Sequence, residues 1–217
     1  MSYLTVKNEG TAEFEEKKSI FTGYARRAVN EDEAKAYLCS IRSMHKEAKH
    51  NVYAYVIGKN MDIQRYSDDG EPQGTGGIPV LEVIKKIGIT DTVIVVTRYF
   101  GGILLGTGGL ARAYSKGASM AVKNAGIVEK VIGTEIHIKI EYCMLDKVNY
   151  LFKQRLQHIE NTEYTDKVTL SIYAQKSEKD EITNEIIQIT GGKCEIEYGD
   201  ESYFFKMENG HSYLLKK

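Results

Sequence analysis

Two segments of this 217-residue chain concentrate residues that could do chemistry. The first runs from Arg65 to Gly77 and contains Ser67-Asp68-Asp69-Gly70-Glu71-Pro72 followed by Gly74-Thr75-Gly76-Gly77. The second runs from Thr97 to Ser115, through Arg98-Tyr99-Phe100-Gly101-Gly102 and then Gly106-Thr107-Gly108-Gly109, with Arg112, Tyr114 and Lys116 beyond. Each has the order strand end, Arg-Tyr, loop, Gly-Thr-Gly-Gly, helix. Glycines at a helix start leave backbone N–H groups open, and the helix dipole favours an anion there. Two such starts beside Arg65, Arg98, Arg112 and Lys116 are expected to form one phosphate-binding cleft. The plainer reading is that the glycines serve only tight turns and close packing.

Asp68, Asp69 and Glu71 place three carboxylates in four residues. They are the candidates for a general base or for ligands of a hard metal; pairing with the arginines is the competing and preferred reading, and no metal or cofactor is expected. Arg42, Lys46, Lys49 and His50 form a basic run entering the next strand. With Tyr66, Tyr99 and Tyr114 beside the arginines, one reading is a groove for nucleic acid with stacking aromatics; the alternative is solvated charge with tyrosines in the core. His45 and His50 are five apart, which is wrong for a helical zinc pair. No P-loop follows either glycine run. Gly106-Thr107-Gly108-Gly109-Leu110-Ala111 fits the loose dinucleotide pattern, but the short turn and the alternating βαβα order are missing.

The elements that must position these residues follow from periodicity. Strands are expected at 11–15, 18–28, 51–58, 61–66 and 92–97, and helices at 31–46, 76–88 and 107–125. Asn30 and Glu33 make a capping box for the first helix. Thr92–Thr97 is apolar on both faces, as a central strand is. Beyond about residue 133 the order is strand 134–142, helix 144–157, strands 159–165 and 167–175, helix 178–190 and a broken strand 193–207. That β-α-β-β-α-β order is the ferredoxin-like pattern. The expected fold is α+β in two domains, residues 1–131 and 132–217.

Composition agrees with that division. Residues 1–130 carry 18 Lys+Arg against 15 Asp+Glu, and residues 131–217 carry 11 against 15. Thirteen of the 20 glycines fall between Gly58 and Gly126, so the chemistry-bearing half is the glycine-rich, basic one. Three scattered cysteines exclude a disulfide scaffold. No apolar run reaches the roughly 18 residues that span a bilayer, and the first residues lack a signal-peptide core. A cytoplasmic protein without a membrane partner is expected.

His50-Asn51-Val52-Tyr53-Ala54-Tyr55, the Ser67–Pro72 run, the first Gly-Thr-Gly-Gly and Arg98 through Ser115 together resemble the IMPACT family, over about the first 130 residues. The second half looks like the small C-terminal domain of bacterial members. The resemblance implies a first domain folded like the second domain of a ribosomal small-subunit protein, a sheet with helices on one face. It implies a second domain like the ferredoxin-like last domain of elongation factor G. Eukaryotic relatives are translation regulators that compete for an activator of a stress-responsive initiation-factor kinase, using an extra N-terminal domain whose partner does not carry over. The expected function is a non-catalytic, translation-related protein contacting RNA, the ribosome or a translation factor. A scaffold for another protein is a further reading. The alternative is an enzyme on a phosphorylated or peptide substrate, using the carboxylates at 68–71.

Overall fold

The computed structural model describes residues 2–206 and 213–215. They form two compact units, Tyr3–Ile127 and a second from Val128 on. The division falls at the start of one long strand, Ile127–Ile140, so the 131/132 boundary expected from the sequence lies inside that strand.

The first unit opens with a short strand, β1 (Tyr3–Val6), that the sequence reading did not anticipate; Leu4 bridges Ile89. Five strands make its sheet: β2 (Gly10–Glu16), β3 (Ser19–Arg27), β4 (His50–Ile57), β5 (Ile63–Ser67) and β6 (Thr92–Tyr99), in the order β2-β3-β6-β4-β5. Every neighbouring pair is antiparallel. β5 and β6 therefore run the same way, and the helices that follow them, α2 (Gly77–Ile87) and α3 (Gly106–Ala125), begin at the same end of the sheet.

Alternation along β6 explains the layers. Ile94 and Val96 pack with Val52, Ala54, Val80, Ile84, Tyr114 and Ala118 under α2 and α3. Val93 and Val95 pack with Tyr24, Tyr55 and with Ala34, Tyr37, Leu38 and Ile41 of α1 (Glu31–Met44). Helices thus cover both faces, which corrects the one-faced arrangement expected from the resemblance. The physical reason is visible in β6, whose two apolar faces each need to be withdrawn from water. Asn30 caps α1, accepting the Glu33 N–H at 2.8 Å, while Glu33 accepts from the Val29 N–H. α3 packs close on the sheet because small residues meet there: a Cβ at Gly23 would sit 2.3 Å from the Gly117 carbonyl oxygen.

The second unit has β7 (Ile127–Ile140), α4 (Leu145–Gln154), β8 (Ile159–Tyr164), β9 (Val168–Gln175), α5 (Lys179–Thr190), β10 (Cys194–Lys206) and β11 (Tyr213–Leu215). The strand order β11-β10-β7-β9-β8 is the ferredoxin-like order with one strand added at the edge. Ile136, Ile138, Leu170 and Ile172 from the sheet meet Val148 and Phe152 of α4 and Ile182 and Ile186 of α5. The break near Gly199 is a register shift between Tyr198 and Glu201. Among the described residues no helix is long and apolar enough to cross a membrane.

Candidate functional site

The first Gly-Thr-Gly-Gly run already holds an anion, and the anion is internal. β5 ends at Ser67, the chain turns, and the Asp68 carboxylate swings onto the start of α2. Oδ1 accepts the N–H of Gly76 at 2.9 Å and of Gly77 at 2.8 Å, and Oδ2 accepts the N–H of Gly74 at 2.8 Å. Partial burial disfavours the charged form, but the three backbone donors together outweigh it and hold the Asp68 carboxyl below the usual carboxylate range. Gly77 is required by closeness, since a Cβ there would lie 2.8 Å from the Ser67 backbone. Thr75 is buried and donates to the Pro72 carbonyl at 2.6 Å. Gly74, Thr75, Gly76 and Gly77 therefore build a closed capping loop.

Glu71 and Arg98 form a buried pair. Their side chains are 4% and 6% exposed, and Arg98 Nη1 donates to Glu71 Oε1 at 2.7 Å. The Tyr114 hydroxyl of α3 donates to the same oxygen at 2.7 Å. Burial, and then the bond to Glu71, push the Tyr114 hydroxyl far above its usual range, so it stays a donor. The Arg98 guanidinium lies between the rings of Phe21 and Phe100, 5.5 and 5.4 Å from their centroids. Asp69 is tied as firmly: Arg42 donates to Oδ1 and the Asn51 N–H to Oδ2, both at 2.6 Å. All three candidate carboxylates fix the loop, Asp68 to the start of α2 and Asp69 and Glu71 to the sheet. Among the described residues no group of three or more His, Cys, Asp or Glu is arranged to hold a metal.

The second Gly-Thr-Gly-Gly run is open. Gly106, Thr107 and Gly108 are exposed, Gly109 is half-buried, and the N-cap residue Leu105 offers no side-chain cap to the start of α3 among the described residues. A Cβ at Gly108 would meet only the Arg112 guanidinium, at 3.7 Å, so packing does not demand glycine there. The preceding loop is pressed onto the β2–β3 hairpin: a Cβ at Gly101 would fall 2.0 Å from the Lys18 backbone. That contact brings Lys17 to the start of α3. Lys17, Arg112 and Lys116 rim a pocket of 280 Å³ floored by Leu105, Gly109 and Ala113, with Glu16 its one acidic residue. Lys116 Nζ sits 4.2 Å from the Phe14 ring centroid.

The structure separates the other expected members. Arg65 pairs across β4 with Tyr55, on the α1 face, and approaches Glu31 at 3.7 Å. Arg98 lies on the α2–α3 face and is buried. Of the four expected cations, Arg112 and Lys116 line one pocket, whereas Arg98 is buried against Glu71 and Arg65 lies on the other face of the sheet, so the four do not converge on one surface as expected. His50 Nδ1 bonds the Asp69 carbonyl at 2.9 Å, and Lys46 is exposed beyond α1. Of the tyrosines proposed to stack, Tyr114 is fully buried, Tyr99 bonds His45 Nδ1 through its hydroxyl at 2.8 Å, and Tyr66 is exposed.

Several participants were missed from sequence. Ser19 accepts from Arg98 at 3.4 Å and from the Gly101 N–H at 3.2 Å. Asn51 accepts from Thr97 at 2.7 Å. His45 is bonded through its other nitrogen to the Tyr24 hydroxyl. Lys17 and Leu104 border the open helix start; the Lys17-Lys18 pair between two alternating strands was the available signal for the hairpin.

Comparison with known proteins places this geometry among relatives. The sequence model described as Impact N-terminal domain matches residues 17–122, and one described as a domain of unknown function matches residues 138–193. The chain is 39% identical over 208 residues to IMPACT family member YvyE of Bacillus subtilis, covering 96% of each. It is 34% identical over 182 residues to IMPACT family member YigZ of Escherichia coli, covering 83% of this chain and 89% of that one. Protein IMPACT of Rattus norvegicus is 32% identical over 96 residues, covering 42% of this chain and 30% of that protein. A solved structure described as the crystal structure of an hypothetical protein superposes with a TM-score of 0.59 at 32% identity, covering 90% of this chain and 96% of that one.

Proposed function

Because the chain belongs to the IMPACT family, we propose that it is a non-catalytic, cytoplasmic binding protein of the translation apparatus, engaging a negatively charged component through the open start of α3. The translational setting comes from the kinship with the eukaryotic IMPACT proteins, which extends over 42% of this chain. The observation that carries the binding surface is the contrast between two like loops. One helix start is closed by Asp68, while the other is uncapped and rimmed by Lys17, Arg112 and Lys116. Uncapped N–H groups and nearby cations both favour an anionic partner. The non-catalytic part of the reading is supported by the fate of Asp68, Asp69 and Glu71, each spent on donors that fix the loop. A general base needs a free lone pair facing substrate.

Co-sedimentation of the full chain with ribosomes and translation factors from a lysate, at rising salt, tests this. The expected result is association that weakens with salt and is lost in the Arg112→Glu, Lys116→Glu double variant. Association unaffected by both would overturn the assignment of the surface.

A further inference from the structure

Resting on that function, we propose that the surface beside the start of α3 docks an acidic segment of a partner protein carrying an exposed aliphatic or aromatic side chain, and that nucleic acid is not its occupant. The loop between β6 and α3 holds large apolar side chains in water: Leu104 is 82% exposed, Phe100 51% and Ile103 41%. Grouped apolar exposure on a connecting loop marks a contact site for a partner. The adjoining pocket supplies the charge preference, with three cations against one carboxylate and an uncapped helix start. Neither Lys17 nor Arg112 is tied to a carboxylate among the described residues. Charge complementarity therefore selects an anionic occupant.

Two further observations select protein over RNA. Three basic residues that the sequence placed beside the pocket do not extend its cationic area: Arg98 is consumed by Glu71, Arg65 lies on the opposite face of the sheet near Glu31, and His50 bonds a carbonyl, which shortens the track a phosphate backbone would follow. Two of the three tyrosines expected to stack are also withdrawn: Tyr114 is buried and Tyr99 is bonded to His45, which leaves Tyr66 exposed, and one face of Phe100 is covered by the Arg98 guanidinium. Base recognition depends on aromatic platforms, which Leu104 and Ile103 cannot provide. An acidic peptide with one apolar residue uses both halves of the surface: its carboxylates meet Lys17, Arg112 and Lys116, and its apolar side chain covers Leu104.

Selection from two libraries on the immobilised full chain tests this: a displayed library of random 15-residue peptides and a pool of random RNA. Each selection is counter-selected against the Arg112→Glu, Lys116→Glu variant. Those residues and Leu104 are exposed, and a retained thermal midpoint verifies that the variants fold. The expected outcome is enrichment of peptides rich in Asp and Glu around a Leu, Ile, Met or Phe. Their affinity should fall about tenfold in Leu104→Ser, the loss of one buried aliphatic contact. Enriched peptides without acidic residues, or indifferent to Leu104→Ser, overturn the inference. Enriched RNA whose binding is lost on charge reversal but indifferent to Leu104→Ser overturns the inference and leaves the proposed function standing. If neither library yields a ligand that distinguishes the wild type from the charge-reversed variant, both fall.

Discussion

Replacing Asp68 by Asn isolates the contribution of the internal cap. The carboxylate accepts three N–H bonds at 2.8–2.9 Å from the start of α2. An amide of the same shape can keep its oxygen toward Gly76 and Gly77, but its NH2 then faces the Gly74 N–H, donor against donor. One charge-assisted bond is lost, worth about 1.5–3 kcal/mol, together with a helix-dipole contribution of about 0.3–1 kcal/mol. A net cost of about 2 kcal/mol follows, which makes local opening about thirtyfold more frequent. Hydrogen-exchange mass spectrometry on peptides spanning 68–80 reads this locally, without assuming that the two units unfold together. The pH dependence has a definite sign. The Asp68 carboxyl is held low in the folded state, so its contribution is fully present above the unfolded value near pH 4 and is lost as pH falls through the folded value. The gap between wild type and Asp68→Asn should therefore be full at pH 7 and close on acidification below about pH 4. Exchange at 74–80 unchanged by the substitution, or a gap that persists undiminished in acid, would refute the reasoning.

Glu71→Gln leaves the Arg98 charge buried without its counter-ion and should cost about 3–5 kcal/mol, seen as a fall in the urea midpoint of the first unit; Glu71→Asp, which keeps the charge, should cost less. Gly77→Ala and Gly108→Ala should act in opposite directions. The first forces a Cβ against the Ser67 backbone and costs about 1–3 kcal/mol, while the second meets only the tip of Arg112 and stabilises α3 by up to about 1 kcal/mol, both read by thermal denaturation. His45 should titrate below the usual histidine value by NMR, because burial disfavours its charged form more than Glu13 favours it. Since the unfolded chain then binds the proton more readily, stability should decline as pH falls below about 6.5, and His45→Phe should flatten that decline in urea titrations.

The pattern along the chain was enough to fix the elements. The two-faced pattern of 51–58, the continuous apolar run of 92–97, the Asn30–Glu33 box, and the spacing of Ile182, Ile186 and Ile189 each depend on neighbours a few residues away, where sequence is the whole cause. The ferredoxin-like order of the second half was legible for the same reason. The short β1 was not, because four residues carry too little period, and its place depends on Ile89, far along the chain.

The site obeyed a different rule. Two copies of Gly-Thr-Gly-Gly are the same in sequence, and both were read as anion-binding helix starts. Tertiary structure gave one of them Asp68 from its own turn and left the other to solvent. Arg65 and Arg98 follow the same local pattern, yet a difference in strand parity sends one to the α1 face near Glu31 and the other beneath α2 and α3 to Glu71. Which face a side chain takes depends on register against strands distant in sequence, and a single residue of register exchanges the faces. The residue types needed to bind an anion are therefore set by the chain itself. Which anion each loop receives, internal carboxylate or outside partner, was decided when the turn after β5 closed Asp68 onto one helix start and the sheet brought the Lys17 hairpin to the other.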